Sequence, residues 1–428
     1  MHAHILQDGG YQPFMHIMRR VLMIAYHFPP MAGSSGIQRT LRFVQHLPSF
    51  GWEPLVLTVA PQAYERTSPD LLGDIPAGVI VTRAFALDTA RHLAIGGRYA
   101  GWMARPDRWR SWQFAGVWAG MQMIKRYRPD ALWSTYPIAT AHMIGSALHR
   151  RSGLPWVADF RDPMAQEGYP ADPLTWQSFK AIETDAVRNA RFSTFTTPGA
   201  AEEYRRRYPG SRERIAVIEN GYDEESFATV SAAARQPLVP GTITLLHSGV
   251  VYPQERDPTN LFVALRRLVD LGQLKPGDLK IRFRAAVHDD LLTGLARQHA
   301  VEDYIELCPA ISYREALQEM LCADALLVIQ AANCNAQIPA KIYEYLRAGR
   351  PIIALTDPAG DTAGVLRASG IDTVARLDSA EEIVALLPGF MDAVRCGQAP
   401  LADAPSVAAA SRRGRAESLA ELFSRSMD

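Results

Sequence analysis

Apolar runs of strand length alternate with segments of helical period along almost the whole chain. In the first half the runs are RVLMIAY (20–26), PLVLTV (54–59), VIVTRA (79–84), ALWST (131–135), WVADF (156–160), FSTFTT (192–197) and IAVIEN (215–220). Between them Ile37, Leu41 and Val44 recur at i, i+4, i+7, and Ala141, Ile144, Ala147 and Leu148 line one side of a second helix. The pattern pauses around Asn220-Gly221. It resumes with ITLLHSG (243–249), LKIRFRAA (279–286), YIELCP (304–309), ALLVIQ (325–330), PIIAL (351–355) and TVARL (373–377). TNLFVALRRLVDL and SYREALQEMLCA supply helices between these runs, and 406–423 reads as a terminal helix. Strands that are apolar throughout and separated by helices predict parallel sheets covered on both faces.

The predicted class is therefore α/β, with two doubly wound parallel-sheet domains facing each other across a cleft. The expected boundaries are an N-terminal extension over 1–19, a first domain over 20–225 and a linker over 226–241. A second domain then spans 242–402, and a terminal helix over 403–428 packs back on the first domain. Such sheets bind ligands at the carboxyl ends of their strands.

Composition narrows the class. At 428 residues, 48% hydrophobic and 21% charged, the chain suits two ordinary soluble domains. Lys+Arg and Asp+Glu are 45 each, so net charge gives no case for nucleic acid. Cys308, Cys322, Cys334 and Cys396 form no CxxC pair and no metal-ligand spacing, which predicts reduced thiols and no bound metal. No run reaches the roughly 18–20 apolar residues of a spanning helix. The first 19 residues lack the apolar segment of a signal peptide, so a cytoplasmic location is expected. One region departs from the neutral average: between Arg91 and Arg128 eight basic residues face a single acid, Asp107, with Trp102, Trp109, Trp112 and Trp118 interleaved.

Five stretches carry candidate chemistry. In AYHFPPMAGSSGIQR, Gly33 and Gly36 lead from a strand into a helix, where bare backbone admits a phosphate or sugar, or where a flexible turn suffices. The spacing is neither GxGxxG nor a P-loop. His142, in STYPIATAHMIG, is a structural histidine or one that works at the top of a strand–helix unit. In PWVADFRDP, Asp159, Arg161 and Asp162 follow a buried strand and form either a polar cluster facing the cleft or a structural ion pair. In HSGVVYPQERDP, Gly249 opens a loop and Arg256 is either a fork for a diphosphate or a solvated arginine. In IPAKIYEYLRAGRPIIAL, Pro339 begins a helix on which Lys341 and Glu344 share the polar side. They form an ordinary i, i+3 pair or a phosphate cation with a ribose-binding carboxylate.

In this order the stretches resemble the GT-B-fold glycosyltransferases, in particular the family 4-like group that acts on nucleotide-sugars in bacterial surface-polysaccharide assembly. ENGYDEESF, with Asn220, Gly221 and Asp223, matches the crossover between the two domains. The resemblance implies an acceptor-binding first half and a donor-binding second half. Gly33, Gly36 and Gly249 then approach the donor, and His142 lies beside its sugar. Arg256 and Lys341 neutralise its diphosphate, and Glu344 holds its ribose. Many members carry a further glutamate eight positions before the one at Glu344; here that position is Ala336.

The expected reaction is transfer from a nucleoside-diphosphate sugar to a glycan or lipid-linked acceptor, retaining configuration and using neither metal nor cofactor. If the reaction inverts instead, Asp159 or Asp162 is the candidate base and Arg161 lines the cleft. A nucleotide-sugar epimerase and a non-catalytic scaffold of the same fold are the rival readings. The basic, tryptophan-rich stretch over 98–128 suggests peripheral contact with the inner face of a membrane, through exposed Trp102 and Trp109 beside Arg105, Arg108 and Arg110.

Overall fold

The structure, a computed structural model, describes residues 18–34, 36–230 and 236–427. Positions 1–17 of the expected N-terminal extension, Ser35 of the first loop and 231–235 of the expected linker lie outside the described residues.

Each apolar run of the sequence forms a strand. The first seven are β1 (Arg19–Ile24), β2 (Trp52–Val59), β3 (Ile80–Ala84), β4 (Ala131–Thr135), β5 (Trp156–Arg161), β6 (Phe192–Phe195) and β7 (Ile215–Val217). They pair in parallel in the order β3-β2-β1-β4-β5-β6-β7. The second set is β8 (Ile243–Ser248), β9 (Leu279–Arg284), β10 (Ile305–Cys308), β11 (Ala325–Ile329), β12 (Ile352–Leu355) and β13 (Val374–Ala375). It is also parallel, in the order β10-β9-β8-β11-β12-β13. The order reverses between β1 and β4 in one sheet and between β8 and β11 in the other. Loops after those strands part to opposite faces there and leave a crevice at the carboxyl edge.

Helices cover both faces, which is why the central strands are apolar throughout: β4, β11 and β12 are buried at every position. The outer strand β9 alternates instead. Leu279, Ile281 and Phe283 are buried, while Arg282 and Arg284 share the carboxylate of Glu319 on the other face.

The chain crosses between domains twice. It leaves the first near Tyr222 and returns at Ser411, and the two crossings lie side by side as a single parallel bridge, with Arg412 N–H donating to Tyr222 O at 2.8 Å. The helix Arg412–Ser426 then packs on the first sheet. Ala416, Leu419, Leu422 and Phe423 join Val21, Met23 and Trp133 in one core, and the Phe423 ring lies 5.1 Å from that of Trp52. The end of the sequence thus belongs to the core of its beginning, where each buried large side chain contributes about 1.5–3 kcal/mol.

Candidate active site

The carboxyl edge of the second sheet gathers four of the residues singled out in the sequence. At the end of β8, His247 is fully buried with its Nδ1 3.0 Å from the carbonyl of Leu327. A carbonyl only accepts, so Nδ1 carries the proton, and the Nε2 lone pair faces Lys341 Nζ at 3.1 Å. Burial first, and then the charge of Lys341, holds this imidazole well below its usual range, hence neutral. Lys341 begins the helix Lys341–Ala348. Burial, and then Arg256, depresses its ammonium well below the lysine range, against a pull from Glu344. Gly249, at φ +117°, lies so close that a Cβ there would stand 3.5 Å from Lys341 Nζ. Arg256 donates to Val250 O with its guanidinium 5.2 Å from the Tyr252 ring centre. One turn on, Glu344 accepts from the Tyr313 hydroxyl at 2.7 Å, and burial raises its carboxyl.

A cavity of about 50 Å³ runs past Arg256, Gln330, Gln337 and Pro339 beside this cluster. A larger one, about 500 Å³, opens next to it, but its lining sets Asp257, Asp357 and Asp378 against one cation, Arg376, which pairs with Asp378, so the balance of charge disfavours a diphosphate. Size alone does not locate the site. His247 was not anticipated as a site residue; its one signal is a histidine near the carboxyl end of a strand, two residues before Gly249.

Ala336, at the position where a glutamate was missed, lies at the contact between domains. Its carbonyl accepts from Thr197 Oγ1 at 2.8 Å, and a Cβ on Gly199 would come within 2.8 Å of its methyl group. Gly199 N–H also donates to Asp361 Oδ2 at 2.7 Å.

On the first domain, Gly33 adopts φ +81° in the loop after β1, and Gly36 starts the helix Gly36–His46. A Cβ on Gly36 would fall 2.4 Å from His27 Nδ1 and 2.8 Å from Arg161 Nη1, so a side chain here would push one or both of these side chains aside. His27, unanticipated from sequence, is held near a pKa of about 4 by burial and then by Arg161. Asp162 is exposed, its Oδ1 3.4 Å from Thr196 Oγ1.

Two sequence expectations are corrected here. Asp159 is fully buried, and each carboxylate oxygen accepts two hydrogen bonds: Oδ1 from Arg39 and Thr194, Oδ2 from Arg39 and Thr135, all at 2.8–2.9 Å. Burial pushes this carboxyl up, but Arg39 and the hydrogen bonds outweigh it and hold it below the usual range. No lone pair is left for a general base. Its partner Arg39, on the buried side of its helix, was not anticipated.

His142 is likewise fully buried. Ser134 Oγ accepts from Trp156 Nε1 at 2.9 Å and so donates its one proton to His142 Nδ1 at 2.8 Å. The ring lies 4.7 Å from that of Phe160, and burial holds its pKa near about 4. It packs the core and does not reach the cleft.

The basic stretch is rearranged too. Trp109 is only partly exposed, its Nε1 donating to Ala63 O, and Trp112 is fully buried. Arg105 and Arg108 pair with Asp172 and Asp88, and Arg110 donates to Arg105 O. Asp107 accepts from the Thr140 backbone and hydroxyl, tying the stretch to the next helix. The exposed aromatics of this stretch are Tyr99, at 39%, and Trp102, Phe114 and Trp118, at 68%, 75% and 69%. Among the described residues no helix is long and apolar enough to cross a membrane, and no group of three His, Cys, Asp or Glu side chains is placed to hold a metal.

Comparison with known proteins follows the fold. Residues 35–221 match the family model described as a glycosyl transferase 4-like domain. No curated protein sequence matches the chain. Among solved structures, HepE of Anabaena in complex with UDP aligns with a TM-score of 0.64 at 14% identity, covering 95% of this chain and 100% of that one. Sucrose-phosphate synthase of Thermosynechococcus elongatus aligns at 0.60 and 14%, covering 95% and 98%. The lipopolysaccharide outer core galactosyltransferase WaaB aligns at 0.59 and 12%, covering 95% and 99%. With two parallel Rossmann-like sheets meeting at a carboxyl-edge crevice, the molecule has the GT-B fold of these structures, and residues 35–221 are similar to a glycosyl transferase 4-like domain.

Proposed function

We propose that the protein transfers a sugar from a nucleoside-diphosphate sugar, bound by the second domain, to a glycan or lipid-linked acceptor held by the first. The observation that carries this reading is Lys341, a partly buried ammonium at a helix start, backed by neutral His247 and flanked by Arg256 and the bare backbone of Gly249. A partly buried amine that gains support for its charge when an anion arrives, with Arg256 beside it and a glycine floor, suits a diphosphate, and Glu344 one turn on offers oxygens to a ribose diol. The family match and the UDP bound by HepE support the same class of donor.

Charge that develops on the departing diphosphate is met by Arg256, Lys341 and the helix N–H groups, a kind of stabilisation that often dominates catalysis. With Asp159 sealed and His142 in the core, neither serves as a base. Exposed Asp162 is the candidate base that remains if the reaction inverts; in the retaining reading the leaving diphosphate takes the acceptor proton. Exposed Trp102, Phe114 and Trp118, near exposed Arg98, Lys125 and Arg126, suit an anionic bilayer surface where a lipid-linked acceptor resides.

Calorimetric titration with UDP and other nucleoside diphosphates tests the donor half. Lys341→Met is expected to weaken binding by about tenfold or more, given the strength of charged hydrogen bonds. Wild-type protein that binds no nucleoside diphosphate at millimolar concentration, or that epimerises the sugar with no acceptor present, overturns the reading.

A further inference from the structure

The first domain contains a cation that the donor site does not use. Arg161 ends β5 at φ 63°, a left-handed conformation unusual for a side chain larger than glycine. Its carbonyl is pinned there by Thr196, whose N–H and hydroxyl both donate to it at 2.8 Å. The strained backbone aims the guanidinium at the first turn of the helix Gly36–His46, where Nη1 would lie 2.8 Å from a Cβ on Gly36.

The guanidinium found there lacks a counter-ion. Its Nε is buried without a hydrogen-bond partner, and Nη1 reaches only Tyr136 O, at 3.5 Å. Among the described residues no carboxylate lies within ion-pair distance of it. The groups nearest in charge do not supply one. Asp159 is consumed by Arg39, Thr135 and Thr194, Asp162 is turned to solvent beside Thr196, and His27 is neutral. Burial and the like charge of Arg39 depress the Arg161 guanidinium, as expected of a cation short of an anion. A buried charged donor left unpaired is costly, and the helix start beside it favours negative charge.

We propose that Arg161, with the start of the helix at Gly36, forms a second anion seat that takes a phosphate or carboxylate group of the acceptor, distinct from the donor diphosphate. The term acceptor rests on the function proposed above; the seat itself rests on Arg161. The acceptor class is thereby narrowed to an anionic glycoconjugate, such as a phosphorylated sugar or a lipid-linked diphosphate sugar.

The test is titration of the full-length protein with inorganic phosphate, first alone and then with UDP at saturation. Wild type is expected to bind phosphate with UDP in place. Arg161→Gln should lose about tenfold in phosphate affinity while its UDP affinity stays within about twofold. Arg161→Lys should recover part of the loss. Gly36→Ala, which fills the seat without removing charge, should weaken phosphate binding independently, so the outcome does not hang on the folding of one variant. Phosphate displaced by UDP would assign the cation to the donor site and overturn the proposal. So would unchanged phosphate affinity in both Arg161→Gln and Gly36→Ala. If UDP fails to bind wild type while phosphate binding still depends on Arg161, the donor reading falls and the seat stands.

Discussion

Lys341 shows how one side chain can couple ligand binding to protons. Burial and Arg256 depress its ammonium in the free protein, and His247 can only accept from it, so the charged form is poorly supported until an anion arrives. A diphosphate beside Nζ supports the charged form and raises the pKa again. As pH rises, the free protein loses this proton first, while the complex still holds it. Between the two pKa values binding takes up a proton, and affinity falls with rising pH by up to about one decade per unit. Nucleoside diphosphate affinity should therefore decline across that window, with proton uptake visible in calorimetry run in buffers of different ionisation enthalpy. Lys341→Arg, whose guanidinium stays charged, should flatten the profile. A flat wild-type profile with no proton uptake would return Lys341 to an ordinary surface role.

At the scale of elements, the strands were legible because parallel sheets covered on both faces demand continuous apolar runs, and all thirteen among the described residues were readable as such. The helix Lys341–Ala348 was legible for a related reason, since Pro339 and the apolar Ile342, Tyr345 and Leu346 set Lys341 and Glu344 on its other side, although their partial burial was not. His142 was not: Ser134 stands eight residues earlier in the same stretch, but the enclosure completed by Trp156 and Phe160 of β5 appears only when the helix packs on the sheet.

The helix Trp112–Tyr127 misleads for another reason. Its buried side is Trp112, Gly116, Val117, Ala119, Gly120 and Met123, half of them Gly or Ala, whereas the large Phe114 and Trp118 face solvent. Two exposed large aromatics on one helix depart from the usual order. The departure makes a prediction. Phe114→Ser with Trp118→Ser should leave the melting temperature nearly unchanged, within about ±0.5 kcal/mol per site. Co-sedimentation with anionic vesicles should fall severalfold. Trp112→Ala should instead cost about 3–5 kcal/mol. Vesicle binding that survives the double change, or that ignores lipid charge and salt, would remove this helix from the docking surface.

For the whole molecule, the transfer proposed above requires the two domains to meet, and the structure shows what they meet through. The paired crossings at Tyr222 and Ser411 make a narrow connection that can act as a hinge. Across the cleft, Thr197 and Gly199 of the first domain dock on Ala336 and Asp361 of the second. The missing glutamate now has a physical account: with Gly199 pressed against Ala336, a longer side chain at either position would hold the domains apart. A small pair at this contact thus sets how far the cleft closes. Gly199→Leu should keep nucleoside diphosphate affinity within about twofold, because the proposed diphosphate and ribose groups, Arg256, Lys341 and Glu344, lie in the second domain, away from this contact. It should lower the transfer rate by at least about tenfold, since a misplacement on the order of 1 Å can cost a hundredfold. Small-angle scattering with nucleotide bound should show a larger radius of gyration than wild type. Asp361→Asn, which keeps the shape but weakens the bond to the Gly199 N–H, should fall between the two. If Gly199→Leu matches wild type in both scattering and turnover, closure does not pass through this contact and Ala336 is small for some other reason.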